Sequence, residues 1–300
     1  MHFQLNKSQE LVQQKVREFA ETKVLPNAAE RDAAGEFPLD LMLEFGKLGF
    51  LGLPYPKEYG GAGEDNISYA IAVEEISRVD GGMGAALSVH TSLACWPILE
   101  YGTEQQKQKY LIPLAKGEKI GSYCLTEPNA GSDAAGTESF VVDKGDHYLL
   151  NGKKIFITNA HESEIFVVFA AIDKPRAGNR NLCAVIIEKG WAGFSLGQHY
   201  DKMGIRNSGT QELIFKDVKV PKENLLGKMG DGFKIAMQTL DGGRIGIAAQ
   251  ALGIAQGAFE QALEYAKIRE QFGKPIASQQ YIAFKLAEMA TKLRAARFMV

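Results

Sequence analysis

The spacing of apolar residues changes twice along the chain, and this limits the folds that the chain can adopt. Near the start, Val12, Val16 and Phe19 recur at intervals of three or four residues, which places side chains on one face of a helix. From about residue 119 the apolar residues alternate with period two, as in strands, and after Asp231 the helical spacing returns. We therefore predict an α+β multidomain chain with an N-terminal α-helical domain (1–118), a central β-domain (119–230) and the start of a C-terminal helical bundle (231–300).

The middle of the chain carries the clearest strand signals. Two β-rich runs flank Asn151-Gly152, a dipeptide that accepts the positive φ angles of a type I′ turn, so we predict a β-hairpin with its turn at these residues. Further strands are predicted at residues 165–170, 182–187 and 212–215. Because no helical pattern separates them, we expect an antiparallel, barrel-like sheet rather than a parallel sheet with crossover helices.

Two long helical patterns follow, and the first carries a charge where an apolar residue is expected. Leu240 and Ile247 lie on one face of this helix, and Arg244 stands in line between them. A buried arginine needs a partner, so a functional role and a buried ion pair with Asp241 or another acid are both open. The second pattern runs to Val300 without a terminating signal, so we expect an incomplete bundle in a chain that has been cut.

Composition argues against several classes of partner. The chain has 34 Lys and Arg residues against 36 Asp and Glu, a net charge of −2, so it lacks the cationic excess of nucleic-acid-binding proteins. The longest strongly apolar run, residues 165–172, is too short to span a bilayer, and the N-terminus lacks the pattern of a signal peptide. The three cysteines show no metal-ligand spacing. We expect a cytoplasmic protein that binds neither nucleic acid, nor membrane, nor metal.

The common nucleotide-binding motifs do not occur, and one loop stands out as a candidate site. Neither a Rossmann nor a P-loop pattern is present, and the glycine cluster at residues 60–63 is typical of a loop. His90 lies in an apolar helix and is expected to be a hydrogen-bonded core residue. In residues 123–133 (YCLTEPNAGSD) a strand leads into a turn whose N–H groups and hydroxyls suit an anionic or heteroaromatic ligand, although ordinary capped turns look the same.

Five motifs, in this order, resemble those of the acyl-CoA dehydrogenases. They are residues 123–133, 154–159 (KIFITN), 202–206 (KMGIR), 241–244 (DGGR) and 271–275 (QFGKP). The resemblance extends over essentially the whole chain and is closest to the short-chain, butyryl-CoA-type members. It implies a helical domain, a central β-domain and a C-terminal four-helix bundle. It also implies an oxidoreductase that converts an acyl-CoA thioester to the trans-2-enoyl-CoA.

The resemblance implies FAD as the cofactor, held between the β-domain and the bundle. The positions that match FAD-binding residues of the family are Tyr123, Cys124, Leu125, Thr126, Ser132, Phe156, Ile157, Thr158, Arg269 and Gln280. Thr126 matches a residue that hydrogen-bonds the flavin near its pyrimidine edge, and Thr158 matches the residue that faces flavin N5. Arg269 and Gln280 match residues that reach the FAD of a neighbouring subunit, so a homotetramer is expected.

The substrate contacts and the redox partner are implied in the same way. The acyl-CoA-binding positions of the family match Ser132, Asp241, Gly242, Gly243 and Arg244. Residues 87–96 match the wall of the acyl pocket, which Trp96 either shortens or only supports as a core residue. Electrons are expected to pass to an electron-transferring flavoprotein, and an oxidase-like enzyme that uses oxygen is the alternative.

The general base of the family has no match in the sequence. Most members use a glutamate near the C-terminus, and some use a glutamate directly before the arginine that Arg244 matches. That position is Gly243 here, which cannot ionise. We expect the base beyond residue 300; the alternative is a base-less subunit that binds FAD and acyl-CoA without turnover. The loss of such a base commonly lowers the rate by about 10²–10⁴-fold.

Overall fold

In the computed structural model, which describes residues 3–176, 178 and 181–300, the first part of the chain is helical. Its α-helices are α1 (Lys7–Phe19), α2 (Ala28–Ala34), α3 (Leu39–Lys47), α4 (Asn66–Val79), α5 (Gly81–Ser88), α6 (Trp96–Tyr101), α7 (Glu104–Gln106) and α8 (Ile112–Ala115). π-Helical turns connect several of them, at Ala20–Val24, Val89–Cys95 and Lys107–Leu111. The N-terminal helical domain predicted from the apolar spacing is thus confirmed.

Local sequence explains several helix boundaries. The side chain of Asn6 accepts a hydrogen bond from the N–H of Gln9 (3.0 Å), and the Gln9 side chain accepts one from the N–H of Asn6 (2.9 Å), a capping box that starts α1. A capping box of Thr103 and Gln106 starts α7 in the same way. Pro26 does not end the first helical stretch, because a π-helical turn and a 3-10 turn carry the chain past it into α2.

The middle of the chain forms a mixed sheet. Its strands are β1 (Gly121–Cys124), β2 (Phe140–Asp143), β3 (His147–Thr158), β4 (Ile165–Ile172), β5 (Leu182–Glu188), β6 (Phe194–His199), β7 (Thr210–Pro221) and β8 (Leu225–Leu226). They lie in the order β6-β7-β3-β2-β4-β5-β8, and β1 also pairs with β4. The three further strands predicted from the sequence are parts of β4, β5 and β7.

The antiparallel, barrel-like description of this sheet needs correction. β1 and β2 both run parallel to β4, since they lie end to end along one of its edges, β1 beside Ile165–Val168 and β2 beside Ala171 and Ile172. In the described residues the strand order is open, with β6 and β8 at its two ends, so no closed barrel is found. One edge of β4 pairs first with β1 and further along with β2. Residues 125–139, which join β1 to β2, therefore leave the sheet, and they include most of the candidate loop.

The hairpin turn predicted at Asn151-Gly152 is wrong. Both residues lie inside β3, at a bulge where the register against β7 shifts between Leu150 and Gly152. Gly152 has a φ of +139°, and a Cβ at this position would lie 2.3 Å from Ser139 Oγ. The glycine is therefore required by a bulge and a close contact. The hairpin of β2 and β3 turns instead at Gly145, whose φ is +93°.

β4 is buried on both faces and separates two layers of core. Val167 and Phe169 pack toward the helices, in a cluster that also contains Leu114. The alternate residues Phe166 and Val168 pack on the other face with side chains from β3, β5 and β7. A strand buried on both faces has a nearly continuous apolar sequence, which explains why this run is the most apolar in the chain.

The last part of the chain is a pair of long helices, α9 (Gly232–Ile268) and α10 (Gln280–Met299). A short turn with strands β9 (Glu270–Gln271) and β10 (Lys274–Pro275) joins them. α9 packs its glycines against the N-terminal helices: a Cβ on Gly246 would lie 2.3 Å from Tyr69 Oη. On α10 Leu293 is buried, whereas Met289, about one turn earlier, is 38% exposed.

Arg244 is not buried, contrary to the expectation from its position in the apolar pattern. Its side chain is 70% exposed and pairs with Asp241, one turn earlier, which is equally exposed. The prediction from apolar spacing fails because α9 buries its small residues, such as Gly243 and Gly246. These glycines allow a closer approach of the neighbouring helices than Leu240 or Ile247 would. Exposed pairs of this kind are worth only about 0–1 kcal/mol, so the pair does not explain the arginine.

No helix in the described ranges is both long enough and apolar enough to cross a membrane.

Candidate functional site

The loop after β1 and the end of β3 lie against each other. The N–H of Ile155 donates to the carbonyl of Thr126 (2.9 Å), and Ser122 Oγ donates to the carbonyl of Thr158 (2.7 Å). Thr126 and Thr158 are both half-buried. Two motifs that are separated by some thirty residues in the sequence are therefore in contact, and we call the residues around Thr126 and Thr158 the candidate surface.

The backbone of β3 is distorted where it meets this loop. The register against β7 shifts between Lys154 and Ile157, and Phe156 has a φ of +57°, in the left-handed region. Such a conformation costs a non-glycine residue about 1–2 kcal/mol. It turns the Phe156 ring outward, so that the residue is 57% exposed and its ring centroid lies 4.8 Å from that of Tyr200. The strain thus presents an aromatic surface beside Thr158, which suits a flat heteroaromatic ligand.

Three hydroxyls at this surface have no hydrogen-bond partner among the described residues. The side chains of Thr126, Ser132 and Thr158 make no hydrogen bond to the described part of the chain. Ser132 is exposed in the loop that follows Thr126. Because both threonines are half-buried and not fully buried, their hydroxyls are free to bind either water or polar atoms of a ligand.

The neighbouring side chains are buried and take other roles. Tyr123 donates its hydroxyl to the carbonyl of Ala236 in α9 (3.1 Å), and its ring packs against Phe169. Cys124 lies in the core of the sheet, and burial raises the pKa of its thiol. Leu125 and Ile157 are likewise buried. Of these FAD-binding candidates, only the backbone is available to a ligand.

A buried ion pair lies directly beneath the candidate surface. Lys154 Nζ donates to Glu127 Oε1 (2.6 Å) and to the carbonyl of Leu125 (3.0 Å), and both charged side chains are at most 1% exposed. The Glu127 carboxylate also accepts the N–H groups of Glu138 (2.5 Å) and Ser139 (3.0 Å). Burial lowers the pKa of Lys154, and the adjacent Glu127 opposes this effect. Removal of one partner of such a pair typically costs about 3–5 kcal/mol.

Sequence reasoning missed this pair, although a signal for it exists. Tyr148 and Leu150 point inward from β3, and period two places Lys154 in phase with them. A lysine at an inward strand position requires a buried acceptor, which the glutamate of the preceding motif supplies. The prediction of a turn at Asn151-Gly152 broke the strand and hid this alternation.

The predicted substrate segment packs against the predicted acyl-pocket wall. Gly243 is buried, and a Cβ there would lie 2.5 Å from Leu93 Cδ2, in the π-helical turn Val89–Cys95. π-Helical turns within helices occur frequently at functional sites. Asp241, Gly242 and Arg244 are exposed. The hydrogen bond from Tyr123 to α9 brings this segment to the same side of the sheet as the candidate loop.

Arg269 and Gln280 lie far from the other candidates. They are exposed on either side of the turn that joins α9 to α10. The length of α9 from Arg244 to Arg269 is about 37 Å at the usual rise of a helix. Arg269 and Gln280 therefore cannot reach the part of a ligand that Arg244 contacts within one chain.

His90 is a hydrogen-bonded core residue, as predicted. It is fully buried, with Nε2 3.1 Å from the carbonyl of Leu114, and Nδ1 accepts the N–H of Gly121 (3.2 Å). This pattern fixes a neutral ring that donates from Nε2. Burial lowers its pKa to about 4. In the described ranges no group of three or more His, Cys, Asp or Glu side chains could hold a metal ion, and the three cysteines are free and buried.

Three sequence models of one family match the chain. They describe the acyl-CoA dehydrogenase N-terminal domain (residues 6–118), middle domain (residues 122–218) and C-terminal domain (residues 230–300).

Individual relatives agree with this result. The short-chain-specific acyl-CoA dehydrogenase of Clostridium acetobutylicum is 55% identical over 300 residues, which are 100% of this chain and 79% of that protein. The structure of butyryl-CoA dehydrogenase from Megasphaera elsdenii is 48% identical with a TM-score of 0.96, and the match covers 99% of this chain and 78% of the other. A chain in a structure described as the electron transferring flavoprotein of Acidaminococcus fermentans is 53% identical, with a TM-score of 0.97 and the same coverage.

Proposed function

This chain belongs to the acyl-CoA dehydrogenase family, and from that premise we propose that it oxidises short-chain acyl-CoA thioesters to trans-2-enoyl-CoA at the surface formed by Thr126, Phe156 and Thr158. It is an FAD-dependent oxidoreductase that acts on CH–CH bonds and passes its electrons to an electron-transferring flavoprotein. The observation that carries the placement of the site is the contact between two segments in which the hydroxyls of Thr126 and Thr158 make no hydrogen bond to the residues that the structure describes.

The residues at this surface fit a flavin. When bound, FAD supplies the acceptor for the hydride that leaves the β-carbon of the substrate. Thr126 and Thr158 offer hydroxyls that can donate to ring nitrogens or carbonyls, and Phe156 offers an exposed ring for packing. Each neutral hydrogen bond adds about 0.5–1.5 kcal/mol, so these threonines orient and tune the ring more than they retain it.

The substrate is proposed to lie between the candidate loop and α9. Ser132 and Arg244 have exposed polar groups that can contact an acyl-CoA, while Gly243 and Leu93 form a close-packed apolar wall. A wall of this kind excludes water from the reacting carbons. Asp241 is exposed and paired with Arg244, so it is positioned to orient the arginine.

We place the general base on a segment after residue 300. In the substrate segment the buried position beside the acyl wall is Gly243, and a Cβ there would meet Leu93 at 2.5 Å, so a glutamate could not enter without moving the wall. The relatives described above are longer than this chain, since it covers 79% and 78% of them. The base would take the α-proton while the thioester is held by the loop and α9.

Arg269 and Gln280 are proposed to bind the FAD of a neighbouring subunit in a homotetramer. The exposure of both residues supports this assignment, as does the distance of about 37 Å along α9 from Arg244 to Arg269. A guanidinium suits a pyrophosphate because it can donate two parallel hydrogen bonds. In that case Arg269→Ala weakens FAD binding in the tetramer, which equilibrium dialysis measures.

The division into domains at residues 118 and 230 and the cytoplasmic location also belong to this proposal. The matched ranges of the family models support the division. Three buried, free cysteines support a reducing compartment.

The experiment that tests the function measures turnover by the full-length protein, which would carry the proposed base, on acyl-CoA substrates of increasing chain length with an electron-transferring flavoprotein as acceptor. The proposal predicts the highest kcat/KM for butyryl-CoA and slow reoxidation by air once the substrate has reduced the protein. Rapid reaction with oxygen would identify the oxidase-like alternative. If Trp96 shortens the acyl pocket, Trp96→Ala shifts the preference to longer chains, and an unchanged preference makes Trp96 a core residue only.

A further inference from the structure

The buried pair of Glu127 and Lys154 has no role in the function described so far. We propose that it is a positioning pair, which fixes the two threonine hydroxyls of the FAD site relative to each other. The inference rests on the proposed function, because it concerns the surface to which FAD is assigned.

Lys154 holds the residues on both sides of Thr126. Its Nζ donates to the carbonyl of Leu125 (3.0 Å) and to the carboxylate of Glu127 (2.6 Å). Thr126 itself accepts the N–H of Ile155, the residue that follows Lys154 (2.9 Å). One lysine and its neighbour thus hold the backbone of Leu125 and Thr126 and the side chain of Glu127.

Lys154 also marks the point where β3 leaves its regular register. It is the last residue paired with β7 before the shift, and the shift leads to the left-handed conformation of Phe156 and to Thr158. The same side chain therefore connects the beginning of the bulge with the loop that carries Thr126. The separation of the two hydroxyls depends on this connection.

Glu127 extends the connection to the rest of the loop. Its carboxylate accepts the N–H groups of Glu138 and Ser139, at the entry to β2. Its backbone makes two hydrogen bonds with Ala130, so a tight turn follows immediately. The excursion between β1 and β2 is consequently anchored at its first turn and at its end by one side chain.

A charged pair suits this task better than an apolar one. Apolar side chains of equal volume fill space without directional contacts, whereas each of these hydrogen bonds fixes a distance and an angle. The two charges are opposite and buried together, so the pair adds no net charge beneath the flavin. A pair retained for geometry is expected to affect ligand binding more than the stability of the fold.

The test compares three variants of the full chain: Glu127→Gln, the double variant Glu127→Gln with Lys154→Met, and Lys153→Met. Lys153 is the matched control, since it is the adjacent lysine of β3 and pairs with Glu212 at the surface, where it is 47% exposed. For each variant we measure the Tm of the apoprotein, the Kd for FAD by fluorescence titration and the midpoint potential of the bound flavin.

We expect the double variant to keep a Tm near that of the parent and to bind FAD at least tenfold more weakly. The oxidised flavin and the reduced flavin lose affinity for this variant unequally. A tenfold difference between the two losses moves the two-electron midpoint potential by about 30 mV. Glu127→Gln keeps one acceptor oxygen for Lys154 and the N–H of Ser139 but loses the oxygen that accepts the N–H of Glu138, so it shows a smaller change in the same direction. Lys153→Met leaves the Kd and the potential unchanged.

Parental values of Kd and potential in the double variant would overturn the proposal. If the double variant does not fold, a parental Kd for FAD and a parental potential in Glu127→Gln would overturn the proposal. An equal change in Lys153→Met would also refute it, because the effect would then belong to any charge on β3. A parent chain that binds no FAD would instead refute the proposed function, and the inference with it.

Discussion

His90 makes the stability of the protein depend on pH in a way that can be measured. The ring is fully buried, both nitrogens are hydrogen-bonded to backbone groups, and burial lowers its pKa to about 4. In the unfolded chain the pKa of a histidine is about 6.5. Between these two values the unfolded state binds more protons than the folded state, so the free energy of unfolding falls as the pH falls.

The size of the effect follows from the same two values. Each pH unit within this window changes the free energy of unfolding by about 1.4 kcal/mol, so the contribution of His90 is complete above pH 6.5 and about 3 kcal/mol has been lost by pH 4. Between pH 7 and pH 5 the expected loss is about 2 kcal/mol. This amount is a substantial fraction of the total stability of an ordinary domain, which is about 5–15 kcal/mol.

The assay is urea unfolding followed by circular dichroism at pH 7 and pH 5, for the parent and for His90→Gln. Glutamine retains one donor and one acceptor but does not titrate, so it removes only the proton linkage. We expect the parent to lose about 2 kcal/mol more than the variant over this interval. Equal losses in the two proteins would show that His90 is not held neutral by its burial.

Three further predictions concern packing and the flavin surface. Gly246→Ala lowers the Tm by several degrees, because the added Cβ would lie 2.3 Å from Tyr69 Oη. Gly242 has open space around it, so Gly242→Ala leaves the Tm equal or higher. Equal changes of Tm in the two variants would contradict the packing of α9. Gly152→Ala destabilises the protein, since its φ of +139° and the contact with Ser139 exclude a side chain, and an unchanged urea midpoint would count against the bulge. Thr158→Ala raises the Kd for FAD about two- to tenfold, as expected for one neutral hydrogen bond, and an unchanged Kd would remove Thr158 from the site.

The sequence predicted the helical parts of the fold well, because their boundaries depend on local signals. Val12, Val16 and Phe19 lie on the buried face of α1, and α9 begins at Gly232, directly after the predicted return of helical spacing at Asp231. These features depend on apolar spacing and on caps, which act over a few residues.

The predictions that failed depend on contacts between distant segments. The Asn151-Gly152 dipeptide has the composition of a hairpin turn, but Ser139, at the end of the excursion that precedes β2, requires the glycine for close packing. The parallel pairing of β1 and β2 with β4 follows from the excursion of residues 125–139, which no local pattern reveals. Arg244 is exposed because α9 buries its glycines rather than its larger apolar residues, a choice that depends on the shape of the partner helix.

The candidate site was only partly visible in the sequence. The motifs identified the segments of Thr126 and Thr158, and the structure places these segments in contact. The burial of Tyr123 and Cys124 and the ion pair of Glu127 with Lys154 became apparent only in three dimensions. A motif specifies which residues occur in a segment, whereas the packing around the segment decides which of their side chains are exposed to a ligand.

The most direct test of the central claim is a visible absorption spectrum of the full-length protein before and after anaerobic addition of butyryl-CoA. The account predicts flavin bands in the purified or FAD-reconstituted protein and bleaching of these bands on addition of the substrate. Flavin bands that persist with butyryl-CoA and with longer acyl-CoA thioesters would contradict the proposed reaction. A protein that remains colourless after reconstitution with FAD would contradict the assignment of the site itself.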